Sequence, residues 1–429
     1  MPAYSKMTEK ELRTEFSLLK EEYEKILEMN LSLDMSRGKP SSKQLDLSTG
    51  VLTAITDAAS AISSNGLDCR NYGVLDGIPE ARELMAALLG VQNDEVVVGG
   101  TSSLNLMFDA VSRAMTHGLP ESDKPWSFCE DIKFLCPVPG YDRHFAITQH
   151  FGIKMIPIEM DDNGPNMNKV EALVNNDPTI KGIWCVPKYS NPGGVTYSDE
   201  TVRRLARLTP AAPDFRIFWD NAYSIHDLYE DRQDHLENIM DVCKKYGKED
   251  MVYIFGSTSK ISFPGAGLAA IGASKRNIEH ICKSMSVQTI GHNKLTQLAH
   301  VRFYGNFANM KEFMKKHANI LRPKFEMVLS ILDNELKDLD IATWKKPNGG
   351  YFISLNVMKG CARRTVELCA NAGVKLTPAG ATYPYGIDPS DSNIRIAPSF
   401  PPEEELEQAT KLLCLCVRMA ALERLMARQ

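Results

Sequence analysis

The feature that most constrains this chain is a series of short, continuous apolar runs that alternate with helical stretches. The runs fall at 95–98, 133–136, 154–158, 182–186, 216–219, 251–255 and 268–273. Runs of this length without polar alternation read as strands buried on both faces. Helical patterns lie between most of them, as at 104–114 and 199–208. Such alternation predicts an α/β fold in which a mostly parallel, seven-stranded sheet is covered by helices. Ligands of open α/β sheets sit at the carboxyl ends of the strands. The residues just after each run are therefore where chemistry is expected.

The pattern changes from about residue 306. A long helical run, 308–335, precedes Lys346-Pro347-Asn348-Gly349-Gly350-Tyr351-Phe352-Ile353, which reads as a turn feeding a strand. A helix at 364–372, a loop at 378–390, a strand at 393–396 and a last helix at 403–427 complete a smaller α+β unit. At the other end, Thr8 and Glu11 form a capping-box signature. After them Leu12, Phe16, Leu19, Tyr23, Ile26 and Leu27 recur at helical spacing. A lone helix cannot bury such a face, so it is expected to pack with the C-terminal unit. Residues 51–64 read as a second helix. The expected division is a large domain at 49–305 and a small domain built from 1–48 and 306–429.

A net charge of -5 gives no reason to expect nucleic acid or an anionic membrane as a partner. No apolar run reaches membrane-spanning length, and the N-terminus has no signal-peptide core. Ten cysteines without a CxxC pair point to reduced thiols in a cytoplasmic protein, and Cys414-Leu415-Cys416 reads as helix packing rather than a metal site.

Residues at several run ends share one chemical theme. The run at 251–255 leads into Gly256-Ser257-Thr258-Ser259-Lys260. By itself this is a lysine in a turn, but a desolvated lysine there would be a nucleophile toward carbonyls. Val98-Gly99-Gly100-Thr101-Ser102-Ser103 joins a strand to a helix start, where backbone N–H groups and hydroxyls cradle phosphate; a plain N-cap would read the same way. Pro139-Gly140-Tyr141 puts an aromatic face at a strand end. Asn191-Pro192-Gly193-Gly194 supplies an amide within turn chemistry. Asp220 follows a hydrophobic strand, where an acid is costly unless paired, and could keep a pyridinium nitrogen protonated. Asn191, Asp220 and Lys260 are spaced so that one strand–helix unit fits between successive strand ends.

This ordered set, with Asp220-Asn221-Ala222-Tyr223 and Asn393-Ile394-Arg395, resembles the fold-type-I pyridoxal-phosphate aminotransferases over nearly the whole chain, from Asp34 onward. Ser36-Arg37-Gly38-Lys39-Pro40, Arg70-Asn71-Tyr72-Gly73 and His300-Val301-Arg302-Phe303 are similar to the aspartate aminotransferase branch close to MocR-type domains. The resemblance implies pyridoxal 5'-phosphate (PLP) in the large domain. Lys260 would be the Schiff-base lysine and proton shuttle. Asp220 would pair with the ring nitrogen, Asn191 and Tyr223 with the phenolic oxygen, and Tyr141 would stack on the ring. Gly100, Thr101, Ser102, Ser103, Ser257 and Ser259 would hold the phosphate, joined by Tyr72 of a neighbouring subunit in a homodimer with shared sites. Arg395 would clamp the substrate α-carboxylate, and Gly38 would let its loop approach closely. The implied reaction is a ping-pong transamination between aspartate and 2-oxoglutarate through pyridoxamine phosphate.

Two positions depart from the family pattern. An arginine is usual eight positions after the lysine, where this chain has Leu268, so one phosphate cation is missing. The usual Asn-Pro-Thr-Gly turn is Asn191-Pro192-Gly193-Gly194 here. A distal carboxylate needs its own cation, for which Arg37, Lys39, Arg143, Lys188 and His292 are candidates; Arg37 is favoured because Gly38 is beside it. Other outcomes on the same fold are an aromatic- or alanine-type transaminase, a β-eliminating lyase, or a non-catalytic regulator effector domain.

Overall fold

The protein is described by a computed structural model covering residues 3–427. Residues 1, 2, 428 and 429 of the expected domain ranges lie outside the described residues.

The expected apolar runs form one sheet. Its order is Val96–Val98, Ala269–Gly272, Val252–Ser257, Arg216–Asp220, Ile180–Cys185, Lys133–Val138, Lys154–Asp161 and Gly164–Pro165. Neighbours from Val252–Ser257 through Lys154–Asp161 pair in parallel. Ala269–Gly272 runs antiparallel to both its neighbours. The sheet thus has eight strands rather than seven. The extra one is a two-residue edge piece that folds back on Met160 and Asp161. Its Pro165 suits an edge, where a missing N–H breaks no ladder.

The strands Lys133–Val138, Ile180–Cys185, Arg216–Asp220 and Ala269–Gly272 are buried, all but Lys133 at the start of the first, as the apolar runs demand. Two apolar cores cover the faces of the sheet. One contains Leu84, Leu135, Ile183, Ile217 and Ile254; the other contains Val97, Phe134, Trp184, Phe218 and Phe255. A third core joins the opening helix Glu9–Glu28 to the C-terminal elements through Leu12, Leu19, Leu332, Leu355 and Leu413. Thr8 caps that helix with the expected reciprocal bonds to Glu11. The C-terminal elements include an antiparallel sheet of Ala342–Trp344, Ile353–Val357 and Asn393–Ile396. A parallel ribbon pairs Leu33–Asp34 with Val374–Lys375 and so ties the two ends of the chain together.

Residues 51–64 do not form the expected helix. They hold two short 3₁₀ turns, Thr49–Thr53 and Ala59–Ala61. Between them Ser60 Oγ accepts from the amides of Thr56 and Asp57, while Asp57 Oδ1 accepts from Ser60 N. These local bonds satisfy the backbone in place of a helix. Among the described residues, no helix is long and apolar enough to cross a membrane. Among the described residues none of the ten cysteines is in a disulfide, and Cys414 and Cys416 are buried in the helix Glu403–Met426.

Candidate active site

The carboxyl ends of the parallel strands open into a cavity of about 550 Å³. Lys260 enters it from the turn after Val252–Ser257. That turn is locked by its neighbours. Thr258 N donates to Leu268 O (2.8 Å), and Leu268 N donates to Thr258 Oγ1 (2.9 Å). Ser262 Oγ lies 3.0 Å from Thr258 Oγ1 and 2.7 Å from His300 Nε2. The Lys260 ammonium lies over the rings of Tyr223 (5.2 Å) and Tyr351 (5.9 Å). Its residual exposure is to the cavity rather than to bulk water, so desolvation dominates and lowers its pKa. The charge of Asp220 opposes that shift and Arg395 adds to it. A lysine that sheds its proton easily is a nucleophilic amine.

Asp220 ends its strand and also lines the cavity. Its Oδ2 is 3.0 Å from His144 Nε2, and the His144 ring is stacked on Trp184 at 4.4 Å and 9°. Its Oδ1 is buried and has no hydrogen-bond partner among the described residues. Tyr141 and Tyr223 flank the acid, and burial pushes both phenols up in pKa, so they stay neutral and able to donate.

Arg395 projects from Asn393–Ile396 and is 8% exposed. Its Nε and Nη2 donate to Thr377 Oγ1 at 3.3 and 3.1 Å. Its Nη1 donates to Asp142 Oδ1 (2.9 Å) and Asn191 Oδ1 (3.3 Å). The guanidinium lies 4.9 Å from the Phe352 ring. Gly38 fits against that same ring: a Cβ there would sit 2.3 Å from Phe352 Cζ.

At the far end of the cavity stand Ser102, Ser103, Ser257 and Ser259. Ser102 caps the helix Ser103–His117 by accepting from Leu104 N. Ser257 Oγ and Ser259 Oγ are 3.0 Å apart, and Ser259 Oγ donates to Thr101 O at 3.4 Å. Gly100, with φ +72°, turns the strand into this helix start. Neither Gly100 nor Thr101 is among the cavity-lining residues. The Leu268 side chain is buried in the core below, so no cation stands at that position. Tyr72 points away and is 79% exposed.

Of the candidate distal cations, Arg37 and Arg143 line the cavity, whereas Lys39, Lys188 and His292 do not. Lys39 sits over the Phe400 ring. Lys188 is held by Asp227 Oδ1 (2.9 Å) and Ser224 O (3.0 Å). His292 packs against Gly99 and Met285. Lys375, on the terminal ribbon, is a further lining cation that sequence reasoning did not single out. It also missed Asp142, His144, Thr377 and Phe352. His144 alone carried a local signal, three residues after Tyr141 on the first turn of a helix.

A mostly parallel sheet with a lysine, an acid and an arginine converging on one cavity is the arrangement expected of a fold-type-I aminotransferase. A family model described as aspartate amino-transferase matches residues 7–429. The aspartate aminotransferase of Corynebacterium glutamicum is 44% identical over 405 residues, covering 94% of this chain and 93% of that protein. A crystal structure of an aspartate transaminase from the same species superposes with a TM-score of 0.94 at 43% identity, covering 97% of both chains. At 17% identity and a TM-score of 0.73, the alpha-aminoadipate aminotransferase of Thermus thermophilus, solved with N-(5'-phosphopyridoxyl)-L-leucine, shares the fold over 92% of this chain and 93% of its own. The chain belongs to the aspartate aminotransferase family, and it is an aminotransferase.

Proposed function

We propose that the cavity holds PLP at Lys260 and that the protein moves an amino group from aspartate to 2-oxoglutarate. The observation that carries the cofactor reading is the orphaned Asp220 Oδ1. A buried carboxylate oxygen without a donor costs about 1–3 kcal/mol. It can accept from an N–H in the cavity, and a protonated pyridine nitrogen is such a donor.

When bound, PLP supplies a ring that withdraws electrons from the bonds at the substrate Cα. The chain's own residues then have distinct tasks. Asp220 holds the ring-nitrogen proton, and His144 orients Asp220. Asn191 and Tyr223 reach the phenolic oxygen, and Tyr141 covers one ring face. Ser102, Ser103, Ser257 and Ser259, with the helix start at Ser103, would hold the phosphate, whereas Gly100 and Thr101 stand behind the cavity wall. With Leu268 apolar, these neutral donors and the helix terminus carry the charge balance. Lys260 Nζ, whose proton affinity burial lowers, would take the proton from the substrate Cα and return it at the cofactor's aldehyde carbon, a 1,3 shift across the substrate nitrogen. Arg395 binds the α-carboxylate as a fork.

Aspartate as donor is supported by the 44% identical Corynebacterium relative of that name and by cavity cations suited to a second carboxylate. Arg37 is our first choice, with Lys375 and Arg143 beside it. Residues 1–48 and 306–429 would act as one small domain carrying Arg395, Gly38 and Arg37. Tyr72, exposed like Leu52, Ile290 and Leu295, supports a homodimer in which Tyr72 reaches the neighbour's phosphate. Ten free thiols support a reducing, cytoplasmic setting.

The test is a half-reaction. Aspartate alone should convert the holoenzyme to its pyridoxamine form with release of oxaloacetate, and 2-oxoglutarate should restore the original spectrum. Faster conversion by alanine or an aromatic amino acid would overturn the substrate reading. Pyruvate and ammonia from cysteine-type substrates would point to a lyase instead.

A further inference from the structure

We infer that Asp142 is a specificity-determining residue: its carboxylate holds a place on Arg395 that a substrate carboxylate must take over. This rests on the clamp role of Arg395 proposed above.

A guanidinium has only five N–H donors. On Arg395, Nε faces Thr377 Oγ1, Nη2 gives one hydrogen to the same oxygen, and Nη1 faces both Asp142 Oδ1 and Asn191 Oδ1. One Nη2 hydrogen is left over. A carboxylate bound as a fork needs two parallel donors, so one existing acceptor has to yield. Thr377 is fixed, because its own hydroxyl donates to Ser36 O at 2.8 Å in the buried N-terminal loop. Asn191 is 3% exposed and has no solvent to retreat to. The Asp142 side chain is 36% exposed, against 9% for Arg395. Asp142 also opens the helix Asp142–His150, whose N-terminal N–H groups and dipole favour a carboxylate there whether or not it is paired. It can leave at low cost.

The consequence is a charge threshold. A neutral acceptor cannot outcompete a carboxylate for Nη1, whereas another carboxylate can. The site thus disfavours uncharged analogues, with some loss of affinity for true substrates. Asp142 lies two residues before His144, the partner of Asp220, so the same helical turn touches the proposed clamp and the proposed cofactor acid.

The experiment titrates holoenzyme with maleate, a non-reacting dicarboxylate, and follows the visible absorbance. Asp142→Asn removes the competing charge while preserving shape, and Asp142→Ala removes the acceptor. A half-exposed ion pair is worth up to about 1 kcal/mol, so maleate should bind Asp142→Asn roughly fivefold more tightly than wild type. Asp142→Ala should bind it at least as tightly as Asp142→Asn. Loss of stability in either variant cannot produce tighter binding. Equal or weaker binding by both variants overturns the role of Asp142 alone. If maleate does not bind wild type at all, the clamp itself is wrong and the inference falls with it.

Discussion

Replacing Asp220 by asparagine should move the cofactor-free and cofactor-loaded protein in opposite directions. No group among the described residues donates to the buried Oδ1, a burden of about 1–3 kcal/mol wherever no cofactor N–H meets it. Asparagine keeps an oxygen for His144 Nε2 and puts a neutral amide where the charge was. Lys260 loses an attraction that favours its charged form, but burial already lowers its proton affinity. It can therefore neutralise instead of standing as an unpaired buried cation. Cofactor-stripped Asp220→Asn should be more stable than stripped wild type by about 1–2 kcal/mol, seen as a higher urea midpoint at unchanged m-value. The loaded protein should suffer. Breaking a buried charged pair costs about 3–5 kcal/mol, and if that loss falls on the transition state the half-reaction with aspartate slows roughly a hundredfold to several thousandfold. A stripped variant less stable than wild type would refute the reasoning. It would mean that Asp220 serves to hold His144 and Trp184 in place and does not await a donor in the cavity.

Other outcomes follow from the same contacts. Gly38→Ala drives a Cβ into the Phe352 ring, an overpacking cost of about 1–3 kcal/mol; a lowered urea midpoint and weaker maleate binding should appear together. His226 and His317 are buried near the lysine turn, and desolvation lowers their pKa values from 6.5 to about 3 and about 4. Below pH 6.5 the unfolded chain takes up protons that the folded protein refuses, so stability falls as pH drops through that window. A variant carrying His226→Gln and His317→Gln should show a shallower fall, whereas an unchanged pH profile would contradict the assignment. Mixing impaired Tyr72→Ala and Lys260→Ala proteins should restore activity after subunit exchange, because one site of the hybrid then has both native residues. No recovery would refute the shared site.

Much of the site was legible because the long strands of the large sheet announce themselves by apolar runs, and Asn191, Asp220 and Lys260 each stand at or beyond the end of one. Asp220, Asn191 and Lys260 could be ordered along the sheet before any contact was known. The failures have physical causes. Residues 51–64 have helical composition, but Asp57 and Ser60 satisfy their own backbone locally. The edge piece Gly164–Pro165 is two residues long and exists only by pairing with its preceding strand. Charge type alone cannot tell where a side chain points: Lys188 is consumed by Asp227, a partner distant in the chain, while Lys375 reaches the cavity from a ribbon whose other strand is N-terminal. The Asp142–Arg395 pair joins a helix of the large sheet to a strand of the C-terminal unit. No local pattern signals such a contact.

Lys260 is the residue proposed to carry the cofactor. Purified protein supplied with PLP should show a visible absorbance band that aspartate bleaches. Borohydride reduction followed by peptide mapping should place the phosphopyridoxyl mass on Lys260, with the band absent in Lys260→Ala. A band that survives that substitution, or a label found on another lysine, would contradict the account.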